Sequence, residues 1–327
     1  MKTDKIDANQ AAELACDLVG GGTWSCRPFG AGKFSQTFEA VNQDGQSYVL
    51  RIAPPDDMRQ LFYEYRMMRQ EPALHRRLQA ETRVPVPPIL AYDFSRRKID
   101  RDYLIMPKLS GLPLSEANLS PAARAQALRE WGEYVAQIHG LQDPQNRFGY
   151  LGEHHCMDPC PTWAEAFTTM MRRELDDTVA TGIYSSGMAE QVMALLENNL
   201  AVFESCRQSR LLHGDLWVTN LLVAKDGAVT GVIDFDRACW GDVEWDLAIA
   251  EYCGVTAEPF WQGYGSQLEN KVGEAAVRRF FYLLYEHQKY IVISISSRHD
   301  NPARAQRYAD DCRRAVENFR TAGRPVF

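Results

Sequence analysis

Apolar and polar positions follow two different periods along the 327-residue chain. Near the N-terminus, Asp7 and Gln10 stand where a capping box opens a helix, and the segment to Leu18 is apolar on one side before Gly20-Gly21-Gly22 ends it. The period then drops to two. PFGAGKFSQTFEAV and QSYVLRIAP alternate or are β-branched, and Asn42-Gln43-Asp44-Gly45 joins them with an Asp-Gly pair that accepts positive φ. They predict an antiparallel pair with a glycine-bearing bend on its N-terminal side. Residues 57–80 return to helical spacing through Leu61, Tyr65, Met68, Leu74 and Leu78, with Pro72 expected to divide them into two pieces. VPVPPIL cannot be helical, and DYLIMPKLSG predicts a buried strand leaving through a linker.

Beyond Ser120 the helical period dominates. Helices are expected over 121–139, 163–178, 188–206, 275–298 and 302–320, with strands only around 211–235. The fold class is therefore α+β with two lobes: a small antiparallel-sheet lobe at 1–106, a linker at 107–111 and a large, mainly helical lobe at 112–327.

Charge narrows the function. The net charge of -7 comes with no basic stripe, which argues against a nucleic-acid partner. Its acidic excess falls after Lys108, where carboxylates in a cleft would attract an aminated molecule. The charged start MKTDKIDANQ lacks the apolar run of a signal peptide, and no stretch approaches the ~18 apolar residues of a membrane span. The expectation is a cytoplasmic protein without a membrane partner, its eight cysteines reduced and free of any C-x-x-C pair.

The most informative stretch is HGDLWVTN, residues 213–220, between Leu211-Leu212 and Leu221-Leu222-Val223. Phosphoryl transfer from a nucleotide needs an acceptor oxygen to orient a hydroxyl and oxygen ligands for the magnesium on the phosphates. Asp215 and Asn220 suit those jobs, and GVIDFDRA supplies a further carboxylate, Asp234, beyond a hairpin marked by Asp226-Gly227. In order, HGDLWVTN, IDFD and GDVEWDLA resemble the signature of the aminoglycoside phosphotransferase family, kinase-like proteins related to choline and fructosamine kinases. The resemblance spans nearly the whole chain. It implies a bilobal protein-kinase-like fold, Asp215 as catalytic base, Asn220 and Asp234 as Mg2+ ligands, and His213 as support beneath the loop. Asp236 is a further metal or phosphate contact or else an ion-pair partner of Arg237, and Asp246 braces the loop from the start of a helix.

The donor side is read similarly. GAGKFS is not a Walker loop, because that motif needs Gly where Arg27 stands and Ser or Thr where Phe34 stands. By the resemblance it is a hairpin turn over the phosphates, with Gly30 and Gly32 allowing close approach and Ser35 donating to an oxygen. Arg51 would touch the α- and β-phosphates, paired with Glu71 in preference to Glu64. MPKLSG resembles a kinase hinge, with the Pro107 carbonyl and Leu109 N–H facing adenine and Met106 behind the ring. The implied donor is ATP, with GTP possible. Too few residues follow IDFD for a phosphorylatable activation loop, so the acceptor is expected to be a small, aminated hydroxyl compound, aminoglycoside-like. A fructosamine- or choline-type kinase is the alternative, and a nucleotide-binding scaffold is the rival of another class. The protein is expected to be a monomer or homodimer. Trp217, Trp240 and Trp245 are expected to pack internally, and HHCMDPC, residues 154–160, forms a loop without a standard zinc spacing.

Overall fold

The computed structural model describes residues 5–30, 34–56, 61–266, 272–296, 299–323 and 325–327. Helix α1 (Ala8–Val19) opens on the expected capping box, with Asp7 accepting from Gln10 N and Gln10 accepting from Asp7 N. Strands β1 (Trp24–Pro28), β2 (Gln36–Asn42) and β3 (Ser47–Ile52) follow, then α2 (Glu71–Glu81), β4 (Ala91–Asp93) and β5 (Tyr103–Pro107). All five strands form one sheet in the order β1-β2-β3-β5-β4, antiparallel throughout. Besides the expected β2–β3 pair, β1 joins the sheet antiparallel to β2.

Strand alternation gives this sheet two faces. Phe38, Ala40, Leu50, Ile52, Tyr103 and Ile105 face α1 and pack on Leu14 and Ala15. Their neighbours in register, Val49, Leu104 and Met106, lie on the opposite face with Ala53 and Met68. Arg51, two residues from Val49, shares that second face.

Residues 61–70 depart from the expected helix. They form two short 3-10 turns, Phe62–Glu64 and Met67–Gln70, separated by Arg66 at φ 52°. Pro72 restarts the helix rather than breaking it: it lies in the first turn of α2, where a missing N–H costs nothing. Residues 57–60 of that predicted segment lie outside the described residues.

The remaining chain runs β6 (Leu112–Pro113), α3 (Pro121–Gly140), α4 (Trp163–Ala180), α5 (Ser186–Glu197), β7 (Arg210–Leu212), β8 (Leu221–Val223), β9 (Val229–Val232), β10 (Cys239–Gly241), α6 (Val243–Tyr252), α7 (Glu258–Tyr264), α8 (Gly273–Ile295) and α9 (Pro302–Ala322). The helix expected over 188–206 ends early and continues as a 3-10 turn, Leu200–Ser205. Helix α7, which is short and carries little periodicity, was not foreseen. One core joins α4, α5, α8 and α9 around Trp163, Phe167, Trp245 and Tyr282, and a second joins α3, α7 and the β8–β9 hairpin around Trp131, Phe235 and Phe260. Leu61, Tyr63 and Met67 from the irregular stretch insert into the first core, so they tie the sheet region to the helices. Trp245 is buried as expected, whereas Trp217 is exposed. All eight cysteines are free, three of them buried. No helix among the described residues is long and apolar enough to cross a membrane.

Candidate active site

The loop between β7 and β8 carries the acid and the amide. Gly214 has φ 79°, and a Cβ there would sit 2.5 Å from the Arg237 carbonyl oxygen, so only glycine fits between His213 and Asp215. Asp246 holds this turn from α6: its Oδ2 accepts from His213 N at 2.6 Å and its Oδ1 from Gly214 N at 2.8 Å. His139 Nε2 lies 3.2 Å from the same Oδ2, and Asp246 is fully buried. The His213 ring is pinned too, with Nε2 donating to Ile233 O at 3.1 Å and the ring centroid 4.4 Å from that of Phe235.

Asn220 closes the turn onto Asp215. Its Nδ2 donates to Asp215 Oδ2 at 2.9 Å and to Asp215 O at 3.0 Å. The reverse amide orientation would set oxygen against carboxylate, so the amide nitrogen must face Asp215 and Oδ1 is turned elsewhere. Asp215 keeps 30% of its side chain exposed, and Arg237 Nη1 lies 3.7 Å from its Oδ1.

The β8–β9 hairpin brings the next acid alongside. Leu221 pairs with Val232, and Ile233 N donates to Asn220 O at 3.0 Å, so Asp234 follows directly beside the asparagine. At φ 71° Asp234 adopts a left-handed turn that few non-glycine residues take and Asp tolerates. The turn aims both Asp234 and Asp236 at Arg51.

Arg51 is the hub. Nη1 donates to both Glu71 oxygens, at 2.9 and 2.7 Å, and Nη2 to Asp234 Oδ1 at 3.2 Å and Asp236 Oδ2 at 3.1 Å. Glu71 is thus the partner that meets Arg51, while Glu64 reaches back to Leu61 N at 3.3 Å. Burial pushes the Glu71 carboxyl up to about 7, against the pull of Arg51. Burial also pushes Asp236 well above the usual range, with Asp234 adding to it and Arg51 opposing it. Asp236 pairs with Arg51, whereas Arg237 pairs with Glu286, its Nη2 donating to Oε1 at 3.1 Å.

Of the remaining donor-side residues, Ser35 is buried just before β2 and its hydroxyl has no hydrogen-bond partner among the described residues. Gly30 has φ 72°; Gly32 lies outside the described residues. Met106 is buried beside Leu104 and Met68. Lys108 N donates to Ser47 O, so by strand alternation the Pro107 carbonyl points to the side away from β3, as does that of Ile105, which accepts from Leu90 N. The Leu109 side chain abuts Gly231 on β9, where a Cβ would meet it at 2.6 Å.

Among the described residues no group of three or more His, Cys, Asp and Glu is arranged to hold a metal, the 154–160 loop included. The Asn220 and Asp234 oxygens are a different kind of set: one amide and one carboxylate, the sparse protein contribution that Mg2+ takes when phosphates and water complete its shell. Two further residues of the site carry no local signal: Glu286 sits on α8 with no motif around it, where residues 280–289 are buried on every face, and Arg237 has a carboxylate neighbour in sequence, Asp236, that is not its partner.

Comparison with known proteins agrees with this geometry. The Phosphotransferase enzyme family matches residues 25–291. A probable ketoamine kinase of Vibrio cholerae is 33% identical over 172 residues, covering 50% of this chain and 54% of that protein. One of Staphylococcus aureus is 29% identical over 175 residues, covering 48% and 56%. The chain spans about half the length of the curated relatives it matches. Among solved structures, aminoglycoside phosphotransferase APH(4)-Ia in complex with AMP-PNP and hygromycin B superposes with a TM-score of 0.63 at 20% identity, over 93% of this chain and 97% of that one. A Haemophilus somnus protein assigned as a candidate fructosamine-3-kinase gives 0.66 at 17%, over 92% and 96%. The fold is the bilobal α+β fold of these kinases, and the chain belongs to the Phosphotransferase enzyme family.

Proposed function

We propose that the protein transfers the γ-phosphoryl group of ATP to a hydroxyl of a small, aminated molecule. The observation that carries this reading is the fixed pairing of Asn220 Nδ2 with Asp215 Oδ2, which leaves Asp215 Oδ1 for an acceptor hydroxyl and Asn220 Oδ1 for a cation. Asp215 would orient the hydroxyl and receive its proton; Asn220 and Asp234 would hold Mg2+. Bound there, Mg2+ would neutralise the β- and γ-phosphate oxygens and the developing charge. Arg51, fixed by Glu71, would fork onto the donor phosphates, with Ser35 above them and the 107–109 linker against the purine. With domain limits at 1–106, 107–111 and 112–327, the nucleotide would lie between the lobes. Catalysis on this account is alignment and charge neutralisation, since no covalent step is asked of the protein.

Similarity to ketoamine kinases over half the chain makes a ketoamine the first acceptor to test, and the fold shared with APH(4)-Ia makes an aminoglycoside the second. The test is a nucleotide-consumption screen over ketoamines, aminoglycosides and choline-like alcohols, followed by mass spectrometry. An acceptor heavier by one phosphoryl group is expected. Nucleotide binding without any phosphorylated product across the panel supports the scaffold reading instead.

A further inference from the structure

We infer that Gln70 is a positioning residue for the ion site: its side-chain amide sets the turn from Asp234 to Arg237, so that the placement of Asp234 depends on how the start of α2 is docked. The inference rests on the reading of Asp234 as an ion ligand and extends it to a residue that acts through the backbone.

Gln70 and Glu71 are consecutive at the start of α2, and both are buried. They serve the two halves of the site. Glu71 turns to Arg51, whereas Gln70 turns to the chain that follows Asp234: its Nε2 donates to Asp236 O at 2.6 Å and approaches Phe235 O at 3.5 Å. The reverse amide orientation would set oxygen against both carbonyls, so the nitrogen must face them. Gly152 closes the other side. A Cβ there would lie 2.4 Å from Gln70 Cβ and 2.8 Å from its Oε1, so only glycine lets that loop pack so closely on the glutamine.

The carbonyl that Gln70 holds fixes the plane of the peptide between Asp236 and Arg237. From that plane Asp236 directs its carboxylate to Arg51 Nη2, and Arg237 directs its guanidinium to Glu286. A rotated plane would swing both. Two residues before it stands Asp234 at φ 71°, a backbone state that a non-glycine residue holds only where its surroundings impose it. Ala238 N, donating to Phe235 O at 3.0 Å, closes the turn from its other end. The next carbonyl, Arg237 O, abuts Gly214, so the same stretch borders the turn that carries Asp215. Losing a bond that orients a metal ligand weakens metal binding by roughly 10- to 100-fold, although the lost group never meets the ion.

The experiment uses the full chain with AMP-PNP and Mn2+, read by electron paramagnetic resonance, in wild type, Gln70→Met and Gln70→Asn. Methionine keeps the volume and loses the donor; asparagine keeps the donor but falls one methylene short of the carbonyls. Both variants are expected to fold by circular dichroism and to weaken nucleotide-dependent Mn2+ binding by about 10-fold or more, while affinity for AMP-PNP in EDTA stays within about twofold. A residue that serves the fold alone moves the melting temperature but not this split. Mn2+ affinity within about twofold of wild type in either folded variant overturns the inference. So does an equal loss of Mn2+ affinity and metal-free nucleotide affinity, which means that the whole cleft has shifted. Failure of both variants to fold also overturns it, because Gln70 then supports the fold rather than the turn. Wild-type protein without nucleotide-dependent Mn2+ binding overturns the ion reading, and the inference with it.

Discussion

Asp246→Asn separates the brace from the base. Asp246 spends both oxygens on the turn that aims Asp215: two backbone N–H groups, at 2.6 and 2.8 Å, and the His139 ring at 3.2 Å. Asparagine replaces one oxygen with an NH2 group, which sets donor against donor in a fully buried place. One charge-assisted bond is lost and one buried N–H is orphaned, together about 2–4 kcal/mol. For a chain of this size that lowers the melting temperature by roughly 5–10 °C. The turn must also shift to relieve the clash, and a displacement of about 1 Å at Asp215 lowers turnover by about 10²-fold. Asp215→Asn is the contrast. Its side chain is 30% exposed and its carboxylate meets one amide, with Arg237 Nη1 at the longer distance of 3.7 Å, so stability should stay within about 1 kcal/mol while turnover falls by about 10²-fold or more. Thermal melts and steady-state turnover on both variants measure the two effects. An Asp246→Asn protein that melts with wild type and turns over within about twofold of it would refute the bracing argument.

Two further outcomes follow from the buried charges. Glu71→Gln removes the charge that both Glu71 oxygens present to Arg51 Nη1, so Arg51 should lean onto Asp234 and Asp236; the KM for nucleotide is expected to rise by about 10-fold, and an unchanged KM in steady-state kinetics would count against the pairing. Burial holds the His154 imidazole down to about 4, against roughly 6.5 unfolded, so the unfolded chain takes up the proton first as pH falls. The stability it contributes is complete above pH 6.5 and is lost as pH falls towards 4, by about 2 kcal/mol at pH 5. His154→Asn should therefore lose about that much less between pH 7 and pH 5 than wild type does, measured by urea unfolding at the two pH values; equal losses would contradict it.

Much of the site was legible because its chemistry is local. Asp215 and Asn220 sit five residues apart on one turn, and Asp234 follows on the strand paired with theirs, so motif spacing alone brought them together. Strand and helix left Glu64 and Glu71 both open as partners of Arg51; the spacing implied by the family resemblance favoured Glu71, and that pair is formed. Residues 61–70 were misread for the opposite reason. Leu61 plugs a core built by distant helices while Met68 packs under the sheet with Leu104 and Met106, and apolar residues that answer to two different partners mimic a helical period without forming a helix. Trp217 was expected inside on residue type, but its turn faces outward. Arg237 and Glu286 lie 49 positions apart, and their pairing depends on how α8 docks, which no local pattern encodes.

The measurement closest to the central claim is nucleotide-dependent Mn2+ binding followed by electron paramagnetic resonance, with Mn2+ in place of Mg2+. With a non-hydrolysable ATP analogue present, wild-type protein should bind one ion, and Asn220→Ala and Asp234→Ala should each weaken that binding while remaining folded. Binding that is equally tight in all three proteins would contradict the assignment of Asn220 and Asp234 as the ion's ligands.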